Sequence, residues 1–551
     1  MDKLPVEILS AIVDHCPTRD LINLQATSKP LNEVARDNLL WRKRCYREVV
    51  QAYHQPTARR VGMTRNTEHA PSSAARWDPT SDEENICWYS EYVARHSPIS
   101  VTWLEIPDAG QLDNGKSCRI REVGGMGLLK DISYNGSDKI IGPLDDGTVC
   151  VWDLSRSSDR ESRKSRGRAI AESQPGLLTS YQDGRADKNL VVSECVSIDS
   201  PSNRAYFVVD TILHEVDIST CQLVSRKRYP SPITALSQET IDYSTSLSVA
   251  TTSSLHINDP RLHLDLSTTN ESSRLDIAPL AQPGTQSILH PPLPNSNTIC
   301  LAGRVPSILV YDRRYLPRIQ STAYSGSRLC CLAAIPALPK CVQVEDDKSV
   351  PYQSIIACGE YSGRGSLELY GLSALTDTKN PEHLQPPTIS NALLQNRQSS
   401  SYSKLLSVAA HGARIIYSDS HGIIRWTERD CRTLTRAWDL NYSSPLSSES
   451  NPRNTRNWLA FPSRPSASKH DVARKLIPTG ETLSDDEILV WTGDRIARLI
   501  FSMEAESNNK MNRSHEETEH TRREEEYSEA MRRSLWHHLD QINIMQTFGL
   551  G

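Results

Sequence analysis

The chain has 551 residues, with 62 Lys and Arg against 67 Asp and Glu and a formal charge of −5, so it has room for two or more domains and too balanced a charge to argue for nucleic acid as its main ligand. Its 13 scattered cysteines include no CxxC pair, and it has only 4 Phe and 6% aromatics; this argues against a zinc site, a disulfide framework or a stacking platform for single strands. No apolar run reaches bilayer-spanning length and no basic stretch precedes an apolar one at the N-terminus, so a soluble protein of the cytoplasm or nucleus, with no membrane partner, is expected.

Three short helices are predicted at the start. Pro5 suits a first helical turn, where its missing N–H costs nothing. Ile8, Leu9 and Ile12 recur at helical spacing until Pro17 stops the helix. Asp20 opens a second helix carrying Leu21 and Leu24, and a third runs through Leu31, Val34 and Ala35, ahead of Leu39-Leu40-Trp41. Helices this short bury little, which leaves apolar surface for a partner. Leu4-Pro5 at the start, Asp20-Leu21 in the middle and Leu40-Trp41 at the end resemble the F-box in both order and position. The resemblance runs from residue 4 to about 47. It implies docking on the Skp adaptor, and through it on a cullin, as in an SCF ubiquitin ligase. The adaptor-binding candidates are Leu4, Pro5, Ile8, Leu9, Ile12, Leu21, Leu24, Leu40 and Trp41. A competing reading gives Ile12, Leu24 and Val34 to the internal core of the unit.

Residues 48–98 read as a helical or disordered spacer, with a helix-prone stretch from Asp82 to His96 that contains Trp88 and Tyr92. The pattern then changes to alternation. Leu128–Tyr134, Lys139–Gly142 and Gly147–Asp153 read as three strands joined by Asn135-Gly136 and Asp145-Asp146-Gly147 turns, closing on Trp152-Asp153. Similar endings recur at Glu215-Val216-Asp217, His256-Ile257-Asn258-Asp259, Val310-Tyr311-Asp312, Glu368-Leu369-Tyr370, Ile424-Arg425-Trp426 and Arg498-Leu499-Ile500. These units resemble WD repeats. Stacked in a ring they give a WD-like β-propeller over residues 99–503, seven-bladed. Most units are longer than one compact blade, so insertions are expected at Ser155–Arg168, Leu375–Ser403 and Ser443–Lys469. The last unit offers three strands; Ser100–Ile106 or Ser117–Val123 would supply the fourth and close the ring. The expected fold class is therefore multidomain, a small all-α F-box followed by an all-β propeller. Together the two parts resemble the F-box/WD-repeat receptors, which implies that the propeller holds a protein target.

In WD-like rings the loops between second and third strands share one face. The predicted strands put Arg304, Arg364 and Arg495 on it. Guanidinium groups pair bidentately with phosphate or carboxylate, so an acidic or phosphorylated target suits them; solvated surface arginine is the bland alternative.

Residues 504–551 form a charged tail. Tyr527, Ala530, Met531 and Ser534 fall on one helical stripe behind Glu524-Glu525-Glu526. This resembles a ubiquitin-interacting motif, departing from it at His537, where an acidic residue is usual. The other reading is a tail helix that docks Met531, Leu535, Leu539 and Ile542 on a propeller flank. No motif for catalysis, metal or cofactor is present: Gly115-Lys116 lacks a phosphate-cradling loop, and there is no nucleophile elbow. A non-catalytic receptor is expected, the alternative being a propeller scaffold that binds the adaptor outside a ligase.

Overall fold

A computed structural model describes residues 5–45, 84, 86–107 and most of 121–501. Segments between strands, among them 131–137, 155–165, 180–191, 239–245, 259–276, 336–351, 374–386 and 442–470, lie outside the described residues, as do 1–4, 46–83 and 502–551. Leu4, the Asn135-Gly136 turn and all the tail candidates (Glu524, Glu525, Glu526, Tyr527, Ala530, Met531 and Ser534) fall there.

The N-terminal helices are α1 (Val6–His15), α2 (Thr18–Gln25) and α3 (Lys29–Ala35), followed by a helical stretch at residues 38–45 (α4). Pro5 and Pro17 stand at the N-caps of the first two, positions that need no N–H. Leu9, Val13, Leu21, Leu31, Val34, Leu40 and Trp41 make their common core. A later helix, α5 (Trp88–His96), adds Trp88 and Tyr92 to that same core. Trp41 is fully buried there. Its indole N–H donates to the Ala35 carbonyl at 2.8 Å, and its ring lies 5.0 Å from Tyr89 and 4.9 Å from Tyr92.

The rest is β structure. Strand β1 (Ile99–Trp103) comes first in the chain. Seven four-stranded antiparallel sheets then form the blades. Blade 1 is β2 (Gly127–Leu129), β3 (Lys139–Pro143), β4 (Val149–Asp153) and β5 (Ala169–Glu172); blade 2 is β6 (Val192–Asp199), β7 (Arg204–Val209), β8 (Ile212–Asp217) and β9 (Gln222–Arg228). Blade 3 is β10 (Ile233–Leu236), β11 (Ser248–Thr251), β12 (Ser254–Ile257) and β13 (Ile277–Pro279); blade 4 is β14 (Thr285–Leu289), β15 (Thr298–Gly303), β16 (Ser307–Asp312) and β17 (Ile319–Tyr324). Blade 5 is β18 (Arg328–Ile335), β19 (Tyr352–Tyr361), β20 (Arg364–Ser373) and β21 (Ile389–Asn396); blade 6 is β22 (Leu405–His411), β23 (Arg414–Asp419), β24 (Ile423–Glu428) and β25 (Leu434–Asp439). Blade 7 joins β26 (Lys475–Pro478), β27 (Glu487–Trp491) and β28 (Ile496–Phe501) to β1 as its outer strand.

That last pairing runs from Ile99↔Phe501 to Trp103↔Ala497, so of the two closing strands considered, the one at Ser100–Ile106 is the strand used. The stretch read as an insertion at Leu375–Ser403 needs correction, because its residues 389–396 are the outer strand of blade 5.

Alternate side chains of a strand point to opposite faces, and here both faces are covered. Ile140 packs towards blade 7 and its neighbour Ile141 towards blade 2; Val490 packs towards blade 6 and Leu489 towards blade 1. A strand buried on both faces reads as a continuous apolar run, which is why the repeat is visible in the sequence. Each of the seven junctions between successive blades holds its own apolar cluster, the one between blades 7 and 1 included. The ring is closed.

Candidate functional site

Three places on the molecule carry features beyond packing: the outer surface of the helical unit, the junction where it meets the propeller, and the opposite end of the propeller.

On the helical unit the apolar candidates divide. Ile8 is 49% exposed and Ile12 39%, and Pro5 is exposed as well. Leu24 is partly buried. Leu9, Leu21, Leu40 and Trp41 belong to the unit's core, which corrects their reading as exposed anchoring contacts, although Leu9 also lines the groove described next. The competing reading also changes, since Val34 is internal but Ile12 is not. A groove of about 320 Å³ runs between α1, α2 and α3, with Leu9, Ile12, Val13, Cys16, Leu24 and Leu31 in its walls. Ile8 and Ile12, one helical turn apart, stand on the helix that forms one of those walls.

The junction is built from charge. Glu91 of α5 is almost completely buried, 2.8 Å from Arg414 and 2.7 Å from Arg95. Burial pushes its pKa up, but the guanidinium groups of Arg414 and Arg95 outweigh that and hold it down at about 2. Arg95 also reaches both carboxylate oxygens of Glu428, at 2.7 and 3.3 Å. Arg429 grips both oxygens of Glu84 at 2.7 and 2.6 Å, and Arg436 donates to the carbonyls of Ala94 and Ser97 at 2.8 and 2.6 Å. These contacts fall at or beside the β22–β23 and β24–β25 turns of blade 6, with Arg436 two residues into β25. An up-and-down blade puts its first-to-second and third-to-fourth turns at one end of the ring and its second-to-third turns at the other. The helical unit is therefore seated on the first of these ends.

Arg304, Arg364 and Arg495 lie on the second-to-third turns of blades 4, 5 and 7, which is the opposite end, as the sequence register predicted. Their environments differ. Arg304 is exposed. Arg364 is exposed too, its guanidinium 5.5 Å above the Tyr402 ring. Arg495 is committed within the fold: it contacts both oxygens of Asp471 at 3.0 and 2.8 Å and lies 4.1 Å above the Trp103 ring. Arg495 therefore differs from Arg304 and Arg364 in having its guanidinium already paired within the fold.

Sequence reasoning missed the tyrosines at this end. Tyr324 closes the outer strand of blade 4 and is 71% exposed; Tyr402, in the connection to blade 6, is 49% exposed; Tyr361 sits at the tip of the β19–β20 hairpin at 39%. Arg397 lies 4.1 Å above the Tyr361 ring. It also donates to the buried carboxylate of Glu368 at 2.9 Å. Burial raises the pKa of that carboxylate, but the hydroxyls of Ser366, Tyr370, Ser327 and Ser325 outweigh burial and hold it below the ordinary range. The hairpin tip is Tyr361-Ser362-Gly363-Arg364, with φ of +50° at Ser362 and +80° at Gly363. A two-residue turn with both central residues left-handed matches the twist of its strands. With Tyr361 paired to Arg364, it presents a tyrosine and an arginine side by side. The available signal was the Ser362-Gly363 turn between two long apolar strands; the partners from blades 4 and 6 left none.

Residues 1–47 match the F-box-like family model. A crystal structure of the RRP9 WD40 repeats is similar over 74% of this chain and 99% of that one, at 12% identity and a TM-score of 0.42. No curated protein matches the sequence significantly. The N-terminal 47 residues are thus an F-box-like domain, and the architecture is that domain joined to a seven-bladed propeller.

Proposed function

We propose that this protein is the target-recognition subunit of an SCF-type ubiquitin ligase: the F-box-like helices bind the Skp adaptor and the far end of the propeller binds the protein to be modified. The observation that carries the reading is the division of labour between two ends. An F-box-like domain with an apolar groove is locked by charge to one end of a propeller, while the other end presents exposed tyrosine and arginine. Aromatic residues and arginine are the residue types that anchor protein interfaces. The surplus of guanidinium groups at Arg304 and Arg364 favours an acidic or phosphorylated target segment.

On this reading the protein is a non-catalytic receptor of the cytoplasm or nucleus, and ligase chemistry resides in its partners. The tail from Glu524 to Ser534 contributes weak ubiquitin binding through the stripe of Tyr527, Ala530, Met531 and Ser534. The test is capture of the Skp adaptor and of cullin by the full chain carrying Ile8→Asp and Ile12→Asp. Both positions are exposed, so the fold should survive while adaptor and cullin disappear together from the capture. Adaptor retained by the double variant would overturn the F-box role. Adaptor bound by the unmodified protein with cullin absent would instead indicate a scaffold working outside a ligase.

A further inference from the structure

The thirteen cysteines give no sequence motif, yet the fold brings two of them face to face. Cys331 on β18 and Cys358 on β19 are direct partners in the antiparallel register, next to a bulge between Leu329 and Cys331. Directly opposed residues in such a pair have Cα atoms about 4.5–5.5 Å apart, inside the range of about 4.4–6.8 Å that a disulfide bridges. As direct register partners their side chains project from the same face of the sheet, into the cluster between blades 5 and 6. Cys358 is fully buried in the cluster between blades 5 and 6, whereas Cys331 is half-buried at its edge. The Cys331 thiol reaches the Val408 carbonyl of blade 6 at 3.7 Å.

The surroundings of Cys331 are those of a reactive thiol. The partly buried ammonium of Lys475, which donates to the Met126 carbonyl at 2.8 Å, acts on it electrostatically. The adjacent Cys358 thiol, aided by the Lys475 ammonium, outweighs burial and favours the Cys331 thiolate, whereas burial pushes the thiol of Cys358 up. Thiolate character with partial exposure governs oxidation. The neighbouring thiols lie elsewhere: Cys330 is turned towards Lys404 and Glu360, and Cys195 donates to the Thr234 carbonyl at 3.4 Å on another blade.

We propose that Cys331 and Cys358 form an oxidisable dithiol in blade 5, with hydrogen peroxide as its substrate. The Cys331 thiolate attacks one peroxide oxygen; the O–O bond breaks, hydroxide leaves and takes up a proton to become water, and the Cys331 sulfur becomes a sulfenic acid. The Cys358 sulfur then attacks that sulfur. The S–O bond breaks, water leaves with the thiol proton, and the S–S bond forms. Two thiols have lost two electrons and one peroxide has gained them. The linked strand β19 ends three residues further on, at Tyr361 in the exposed hairpin, so the oxidised pair lies beneath the tyrosine–arginine surface. The proposal depends on no assignment of the target.

The experiment treats the folded full-length protein with hydrogen peroxide, blocks free thiols with iodoacetamide and maps non-reduced tryptic peptides by mass spectrometry. Cleavage gives residues 329–340, with Cys330 and Cys331, and 349–364, with Cys358 alone. The expected product is these two peptides joined, two hydrogens lighter than their sum, and separated by dithiothreitol. The product should persist in Cys330→Ser and vanish in Cys331→Ser. A joined peptide that survives Cys331→Ser overturns the assignment, as does Cys358 fully alkylated on unfolding after peroxide treatment of the wild-type protein. The wild-type mapping needs no variant to fold, and its outcome is independent of ligase or target binding.

Discussion

The two ends of the propeller use arginine in opposite ways. At the end that carries the helices, Arg95, Arg414, Arg429 and Arg436 are buried or partly buried, each tied to a carboxylate or to backbone carbonyls of the other element. At the far end Arg304 and Arg364 are exposed, and Arg364 leans on an exposed tyrosine. Buried charge must be fully partnered, since an uncompensated buried ion costs several kcal/mol. The first set therefore fixes one geometry between helices and propeller, each guanidinium held by its partners there. An exposed arginine stacked on a ring is only weakly held and keeps its guanidinium edge for a ligand. Arginine count alone does not mark a binding face. What marks it is whether the fold has already used the donors.

The largest break in this comparison should come from Glu91. Glu91→Ala leaves the fully buried Arg414 and the nearly buried Arg95 without their shared carboxylate, a loss of about 3–5 kcal/mol by the usual cost of breaking a buried pair. Urea unfolding should show it. Acid titration checks the cause. The Glu91 pKa is lowered on folding from 4.5 to about 2, so its stabilisation is complete above the unfolded value and fades as pH falls from about 4.5 towards 2. The stability gap between wild type and Glu91→Gln should narrow over that window. A gap that stays constant from neutral pH down to about 3 would mean the carboxylate charge is not what holds the junction.

Much of this molecule was legible in its sequence, and the illegible parts share a cause. Pro5 and Pro17 mark helix starts by backbone geometry alone, so the helical unit could be read locally. Blade strands such as Ile140–Ile141 and Ile488–Val490 are buried on both faces, which gives apolar runs that no loop would carry. The outer strand β21 was misread because only one of its faces is covered, leaving Asn391 and Gln395 exposed among its eight residues. Trp41 was misread because the residues that cover it, Tyr89 and Tyr92, stand about fifty positions further along the chain. The tyrosine–arginine cluster needs three blades to assemble it, and Arg495 was misjudged because Asp471 and Trp103 come from distant segments. Local geometry is written locally; the spending of a charge is a tertiary fact.

A smaller effect, confined to binding, is expected at the far end. Arg364→Glu with Tyr402→Ala removes a guanidinium and the ring beneath it, both at exposed positions. Surface substitutions away from buried networks usually change stability by about 0.5 kcal/mol or less, so melting should be nearly unchanged. Capture of the target should fall about tenfold or more, and the residual binding should lose most of its dependence on salt, because a charge pair at an interface acts through screened attraction. Adaptor capture should stay the same. Equal target recovery from variant and wild type at low salt would move recognition away from blades 5 and 6.

Arg495 offers the finest division, since it lies at the far end but is spent like the arginines of the junction. Its guanidinium contacts Asp471 and the Trp103 ring, and Trp103 belongs to β1, the strand that closes the ring. The side chain is 43% exposed, so the ion pair is screened and contributes at most about 1 kcal/mol, with the ring contact adding about 0.5–1 kcal/mol. Arg495→Ala should therefore lower stability by about 1 kcal/mol and leave target capture within about twofold of wild type. Arg364→Ala should do the reverse, leaving stability alone and weakening capture. Parallel thermal melts and target titrations on the two single variants decide it: if Arg495→Ala weakens capture as much as Arg364→Ala does, position on the face outweighs prior commitment of the donors, and the three arginines act as one set after all.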